Sequence, residues 1–330
     1  DLILFNTCAV REHAENRVFG NVGALKKHKY KHGCIIILCG CMTQQQSVAE
    51  KIKESYPFVD ILFGTRVIYR LPEFIYRHLS TEKRVFELGG EDSIAEGLPV
   101  RRDGEFKGWL PIMYGCNNFC TYCIVPHVRG RERSRRPEDI IAEAKDMIAA
   151  GIKDITLLGQ NVNSYADGEV NFPKLLAKVA DISPLLRVRF ATSHPKDLSD
   201  ELIETMASYK NICKAVRLPA QSGSNAQLEK MNRKYTREWY LERVAAIRRY
   251  MPECAITTDL IAGFCGETLE DHQQTMTLMQ EVGYASAFMF KYSERPGTFS
   301  ARHYPDDIAD EEKTRRLNEI IALQNQLSIV

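Results

Sequence analysis

The chain has 330 residues, 44% of them apolar and 26% charged, with a formal net charge of +1. This is the balance of a globular protein long enough to bury a core without disulfide staples, and it excludes a general polyanion binder, so any nucleic-acid contact must come from a local patch. No apolar run reaches the length of a membrane span and no leader pattern opens the chain, which leads to the expectation of a cytoplasmic protein with no membrane partner.

Asp1 runs straight into a strand-like stretch, and the natural N-terminus is expected upstream. Residues 1–90 read as one α/β unit. Its strands are Leu2–Phe5, Cys34–Leu38 and Val59–Phe63, with helices near Glu12–His28, Gln45–Ser55 and Tyr69–Leu79. Strands alternating with helices imply a parallel sheet, here of the open, flavodoxin-like type. Residues 91–108, rich in Gly, charge and turn formers, read as a linker.

A second alternation occupies 109–330. The expected strands are Trp109–Met113, Asp154–Leu158, Arg187–Ala191, Ala215–Leu218, Ile256–Ile261 and Ser286–Tyr292. Helices fall between them, among them Pro137–Ala150, Asp200–Ser208, Arg237–Tyr250 and Leu269–Val282, and Asp307–Val330 closes the chain as a last helix. Six βα units in a row indicate an open partial barrel, a fold in which function sits at the C-terminal ends of the strands.

Ten cysteines occur in clusters and not in a disulfide pattern, which favours metal ligands or catalytic groups. After the first barrel strand, Cys116, Cys120 and Cys123 stand at the spacing C-x3-C-x2-C. Three thiolates on one loop suit three irons of a [4Fe–4S] cube and leave the fourth iron open to a small molecule. A zinc site completed by His127 and plain core packing are the competing readings. The other strand ends offer polar groups for a charged cofactor: Gln160 and Asn161, Ser193 and His194, Gln221 to Gly223, Gly263 to Glu267, and Ser293 with Arg295.

In the first unit, Cys8 and Cys41 each follow a parallel strand and would face each other at one sheet edge. Two sulfurs are too few for a cube. A third would come from upstream or from Cys39, and two bare strand-end cysteines are the other reading. Cys34, Cys213 and Cys254 read as core residues, and Cys265 lies in a rim loop. The run Arg129, Arg131, Arg133, Arg135, Arg136 follows the cysteine loop directly and suits a phosphate-bearing substrate. The plain alternative is a solvated loop paired with Glu132, Glu138 and Asp139.

Several ordered motifs resemble one family. Asn6-Thr-Cys-Ala-Val-Arg, Gly40-Cys-Met-Thr-Gln, Tyr114-Gly-Cys-Asn-Asn-Phe-Cys-Thr-Tyr-Cys-Ile-Val-Pro, Arg129-Gly-Arg-Glu-Arg-Ser, Leu158-Gly-Gln-Asn-Val-Asn-Ser-Tyr and Tyr292-Ser-Glu-Arg-Pro-Gly-Thr all look like the radical S-adenosylmethionine methylthiotransferases, most of all the tRNA-modifying type. The resemblance runs over nearly the whole chain. It implies a radical S-adenosylmethionine partial (β/α)6 barrel and two [4Fe–4S] clusters: Cys116, Cys120 and Cys123 would hold the radical-generating one, and Cys8 and Cys41 would be two of three ligands of an auxiliary one. The family's third auxiliary ligand lies upstream of Asp1, and its small C-terminal β-barrel (TRAM) is expected beyond the residues present.

The reaction implied is methylthiolation of carbon 2 of an isopentenylated adenosine beside the anticodon of tRNA. Sister enzymes act on threonylcarbamoyl-adenosine or on a ribosomal-protein aspartate, and a non-catalytic, metal-stabilised RNA-binding module is the reading from another class. The positions expected to touch the cofactor are Tyr122, Gln160, Ser193, Gln221 and Gly263. Those expected to touch substrate are Arg129, Arg131, Arg133, Asn161 and Arg295. A reducing partner such as flavodoxin or ferredoxin is expected, acting on a monomer. Two departures from the family pattern, His127 for an aromatic residue and Cys265 for proline, touch no cluster ligand.

Overall fold

The computed structural model describes all residues except 11, 91–93, 103, 105 and 329–330. Parts of the expected linker, the end of the expected final helix and Arg11 of the first motif therefore lie outside the described residues. The chain divides into two compact units, residues 1–100 with 123–131, and residues 101–122 with 132–330.

The first unit runs β1 (Leu2–Thr7), α1 (Glu12–His32), β2 (Ile35–Gly40), α2 (Gln46–Ser55), β3 (Ile61–Phe63), α3 (Leu71–Thr81) and β4 (Val85–Glu87). All strands pair in parallel, in the order β1-β2-β3-β4. Each strand thus lies beside its predecessor. Strand β4 has only three residues, too few for an alternation to be read from sequence. Helix α1 outlasts the expected end at His28 because nothing stops it before Gly33, whose φ of 66° supplies the left-handed exit.

Strand β2 shows how the layers form. Ile36 and Leu38 pack into one apolar cluster with Val22, Ala49 and Ile52, and Ile37 and Cys39 pack into another with Phe63 and Phe74. Alternate side chains point to opposite faces, so helices cover the sheet on both sides. Each fully buried aliphatic side chain there contributes about 2 kcal/mol.

The second unit begins with β5 (Lys107–Pro111) and β6 (Met113–Tyr114). The single strand expected over 109–113 starts earlier and divides at Pro111, which cannot donate to a ladder. Residues 107–108, expected in the linker, therefore belong to the strand. Helix α4 (Val125–Arg129) lies in the segment that counts with the first unit. Then follow β7 (Arg133–Ser134), α5 (Pro137–Ala149), β8 (Asp154–Leu158), β9 (Ala166–Asp167), β10 (Val170–Asn171), α6 (Phe172–Ala180), β11 (Arg187–Ala191), α7 (Asp200–Ser208) and β12 (Ala215–Arg217). The chain ends with α8 (Asn225–Lys230), α9 (Arg237–Tyr250), β13 (Ala255–Ala262), α10 (Leu269–Val282), β14 (Ser286–Lys291), α11 (Phe299–His303) and α12 (Asp310–Leu327).

Strands β5, β8 and β11 form one parallel sheet, and β12, β13 and β14 another. A parallel bridge between Val188 and Ile212 joins them. The six strands therefore follow one another around an open barrel, as the βα alternation implies. One face of the strands, including Leu110, Leu157, Val188 and Ile256, packs under the helices in a single apolar core.

Helix α12 ties the last strands together. Arg316 donates to the backbone carbonyl and the carboxylate of buried Glu267 at 2.7 and 2.8 Å. Glu267 in turn accepts the amide of Gly263 at 2.8 Å. A side chain at residue 263 would collide with Lys313 of the same helix, which explains the glycine there.

Candidate metal centres

In the second unit the cysteine loop leaves β6 through Gly115, whose φ is 80°. The amide of Gly115 donates to Gln160 Oε1 at 2.7 Å, so Gln160 holds the loop where the sequence suggested a cofactor contact. Phe119 lies in the left-handed region at φ 47°, a conformation a bulky residue rarely keeps without support. The support comes from the turn after α8. Asn232 Nδ2 donates to the carbonyl of Phe119 at 3.0 Å, the Thr121 amide donates to Met231 O at 3.1 Å, and the Thr121 hydroxyl donates to Lys230 O at 2.9 Å.

Cys116 and Cys120 are both nearly buried. Burial pushes the Cys116 thiol up to about 11, so without a metal it stays protonated. A coordinated thiol is deprotonated outright. Around Cys120 the surroundings supply one cation and one neutral ring. Arg233 Nη1 donates to its Sγ at 3.2 Å, and His194 Nε2 lies 4.0 Å away. His194 Nδ1 accepts the Lys196 amide at 3.3 Å, which leaves the ring proton on Nε2, facing the sulfur. Burial, then the charges of Arg233 and Lys196, hold His194 far below its ordinary value. Cys123 is half-buried and opens the 123–131 segment.

Two thiols on one braced loop, a third three residues on, and a buried guanidinium on one sulfur suit an anionic iron–sulfur cluster. His127 is exposed. Among the described residues no three His, Cys, Asp or Glu side chains converge on a single ion. A four-iron cube takes one thiolate per iron, so its ligands need not converge on one point.

In the first unit, Cys8 follows β1 and Cys41 follows β2, on neighbouring parallel strands. Cys8 is exposed, and Cys41 is buried beside Ala9, Ile124 and Val128. Arg129 Nε donates to Cys41 Sγ at 3.2 Å. Gly40 (φ 103°) turns the chain between strand and cysteine, where a Cβ would strike Thr7. Thr43 donates to Gly40 O at 3.0 Å and Phe63 O at 2.7 Å. Cys39, a candidate third ligand, points into the opposite core layer, and burial raises its thiol to about 11. Cys34 lies in the core as expected, and Cys265 is fully buried.

The remaining candidates take varied places. Asn161, expected to bind substrate, is 1% exposed and spends its amide on structure: Oδ1 accepts the His194 amide at 3.0 Å and Nδ2 donates to Asp197 at 2.7 Å. Ser193 donates to Arg217 O. Gln221 sits in the left-handed region at φ 70° and bridges to Leu260. The Tyr122 hydroxyl lies 3.5 Å from Arg233, and Arg295 is buried. In the basic run, Arg135 is buried on Pro111 O and Glu143, and Arg136 pairs with Asp139. Arg131 is exposed and Arg133 lies in β7. The sequence reading missed Arg233 and Asn232, because a lone arginine in a polar turn carries no spacing signal.

An open parallel barrel with three cysteines after its first strand defines the radical S-adenosylmethionine class of enzyme, whose members use a [4Fe–4S] cluster and S-adenosylmethionine. Residues 110–279 match the Radical SAM superfamily, and residues 1–64 match the uncharacterized protein family UPF0004. The whole chain is 51% identical to a tRNA-2-methylthio-N(6)-dimethylallyladenosine synthase of Thermoanaerobacter sp. (strain X514), covering 71% of it. It is 50% identical to the protein of that name from Desulforamulus reducens, covering 73%. The chain belongs to the family of these radical S-adenosylmethionine methylthiotransferases. Among solved structures, the radical S-adenosylmethionine methyltransferase TsrM from Kitasatospora setae, with cobalamin and a [4Fe–4S] cluster bound, aligns at TM-score 0.67 and 15% identity over 91% of this chain and 65% of its own. The cobalamin-dependent radical enzyme OxsB aligns at TM-score 0.60 and 13% identity over 98% of this chain and 48% of its own. These last two likenesses are of fold. No helix among the described residues is long and apolar enough to cross a membrane.

Proposed function

We propose that this protein methylthiolates carbon 2 of an isopentenylated adenosine beside the anticodon of tRNA. The observation that carries the reading is the braced loop bearing Cys116 and Cys120, with Cys123 three residues on. Relatives about half identical over the whole chain bear the name of synthases that make this modification, which supports the choice of substrate.

Cys116, Cys120 and Cys123 would hold the radical-generating cluster in residues 109–330. Cys8 and Cys41 would supply two ligands of the auxiliary cluster in residues 1–90. When bound, the two clusters supply the electron that cleaves S-adenosylmethionine to a 5′-deoxyadenosyl radical and the sulfur that ends in the methylthio group. Gln160 keeps the cysteine loop in place by accepting the Gly115 amide. Tyr122, Ser193, Gln221 and Gly263 frame the cofactor. Arg129, Arg131, Arg133 and Arg295 are the cations assigned to the tRNA backbone, whose binding must then weaken as salt rises. A reduced flavodoxin or ferredoxin is the proposed electron donor, to a monomer in the cytoplasm.

The test is anaerobic iron and sulfide analysis together with mass spectrometry of nucleosides from isopentenylated tRNA. A 2-methylthio product is expected; about eight irons per chain would mean two cubes, and about four the radical-generating cluster alone. Zinc without iron would sink the reading. Product on threonylcarbamoyl-adenosine or on a ribosomal protein alone would move the chain to a sister activity.

A further inference from the structure

We propose that Arg233 sets the reduction potential of the cluster held by Cys116, Cys120 and Cys123, an inference that rests on the ligand assignment above. Arg233 is 3% exposed, and among the described residues no carboxylate pairs with it. A buried cation without a counter-ion is strongly disfavoured. Its partners are Cys120 Sγ at 3.2 Å and the Tyr122 hydroxyl at 3.5 Å from Nη1, Pro219 O at 2.7 Å from Nη2 and the Tyr235 hydroxyl at 3.0 Å from Nε. Of these, only the sulfur becomes an anion when iron binds.

The geometry is fixed from both sides. Asn232 and Lys234, which flank Arg233, are both in the left-handed region, at φ 58° and 61°. That reversal turns the side chain between them inward. Strain of this kind persists only where its surroundings enforce it. The Tyr235 hydroxyl donates to Ala220 O at 2.9 Å, and its ring lies 5.3 Å from the guanidinium carbon. The fork therefore cannot swing away from Cys120.

Reduction adds one electron from an external donor, breaks no bond and makes the cluster one charge more negative. A fixed cation with an N–H on a ligand sulfur favours that more negative state, because hydrogen bonds to sulfur and local charge set cluster potentials. Arg233 is thus a tuning residue that acts through Cys120. Arginine is suited to this: it is always charged and presents five N–H donors on three nitrogens in one rigid plane.

The experiment uses the protein carrying Cys8→Ala and Cys41→Ala, so that one cluster remains, and titrates it by EPR without S-adenosylmethionine. Arg233→Gln should retain iron and shift the midpoint to more negative potential. A tenfold fall in the reduced-to-oxidised ratio at fixed potential corresponds to about 59 mV for one electron. Arg233→Lys, which keeps charge but loses the fork, should fall between. Iron retained with an unchanged midpoint in both variants overturns the proposal. A second measurement needs no variant at residue 233. With 15N-guanidino-labelled arginine, pulsed EPR of the reduced cluster should detect a coupled 15N nucleus, and its absence overturns the proposal even if both variants misfold. No iron in the parent protein overturns the cluster assignment itself, and the proposal with it.

Discussion

Arg129 donates from Nε to the Sγ of Cys41 across 3.2 Å. The first arginine of the basic run is therefore engaged with a candidate cluster ligand as well as belonging to the set assigned to tRNA. Partners of this kind orient metal ligands, and their loss costs about 10–100-fold in metal affinity or activity. Arg129→Gln should lower methylthiolated product by about tenfold or more while 5′-deoxyadenosine release continues. The check is to quantify both products from the same reaction. Equal loss of both would mean that Arg129 serves the radical step instead.

Cys120→Ala should abolish reductive cleavage of S-adenosylmethionine and leave the fold intact. The change removes one thiol from a loop whose braces, Asn232 to Phe119 and Thr121 to Met231, are not cysteine contacts. Chromatography of 5′-deoxyadenosine and a thermal melt by circular dichroism decide the matter. Retained cleavage would refute the ligand assignment.

Asp271 gives a pH-dependent contribution to stability. Burial works against its ionised form, yet hydrogen bonds from Ser224, Thr268 and Gln227 outweigh it and hold the carboxyl below its usual range. It forms a capping box with Thr268 at the start of α10, and its bond to Ser224 ties that helix to the loop after β12. A depressed folded-state value means stability that is present above the unfolded value of about 3.9 and is lost as pH falls through the folded one. Asp271→Asn should cost about 1–2 kcal/mol at pH 7. The difference from the parent should shrink steadily below about pH 4. Urea unfolding at several pH values measures it, and a difference that grows in acid would contradict the assignment.

Gly223 is constrained by contact. A Cβ there would lie 2.4 Å from Gln274 O and 2.7 Å from Thr275 Cα, both backbone atoms of α10 that cannot rotate aside. Gly223→Ala should destabilise the protein by about 1–3 kcal/mol. A melting temperature equal to the parent's would show that α10 can move away from this loop.

Much of the fold was legible because the strands alternate with helices at regular intervals. The ends of β8 and β11 lie where the sequence put them, since the apolar runs there stop at Gly159 and at Thr192. Strand β4 was not legible, being three residues long and recognisable only by its pairing with β3. The spacing of Cys116, Cys120 and Cys123 was legible because all three lie on one local loop. The contacts of Asn161 and Arg233 were not, because each depends on a partner far away in sequence: His194 for the first, Cys120 for the second. Cys39 and Cys41 look alike in sequence. Only the pleat of β2, with Gly40 turning the chain after Cys39, sends one into the core and leaves the other beyond the strand end.

The link from Arg316 to Glu267 has a practical consequence for anyone drawing a domain boundary. A chain cut before Asp310 keeps every barrel strand, yet it removes the counter-ion of a carboxylate that is 3% exposed. Losing one partner of a buried ion pair costs about 3–5 kcal/mol, a large part of a domain's whole margin of stability. The first local effect would fall on Gly263, whose amide Glu267 accepts, in the loop that follows β13. A trimmed version would therefore express poorly or carry a misshapen rim, and residues 310–327 belong to the folding unit rather than to a spacer.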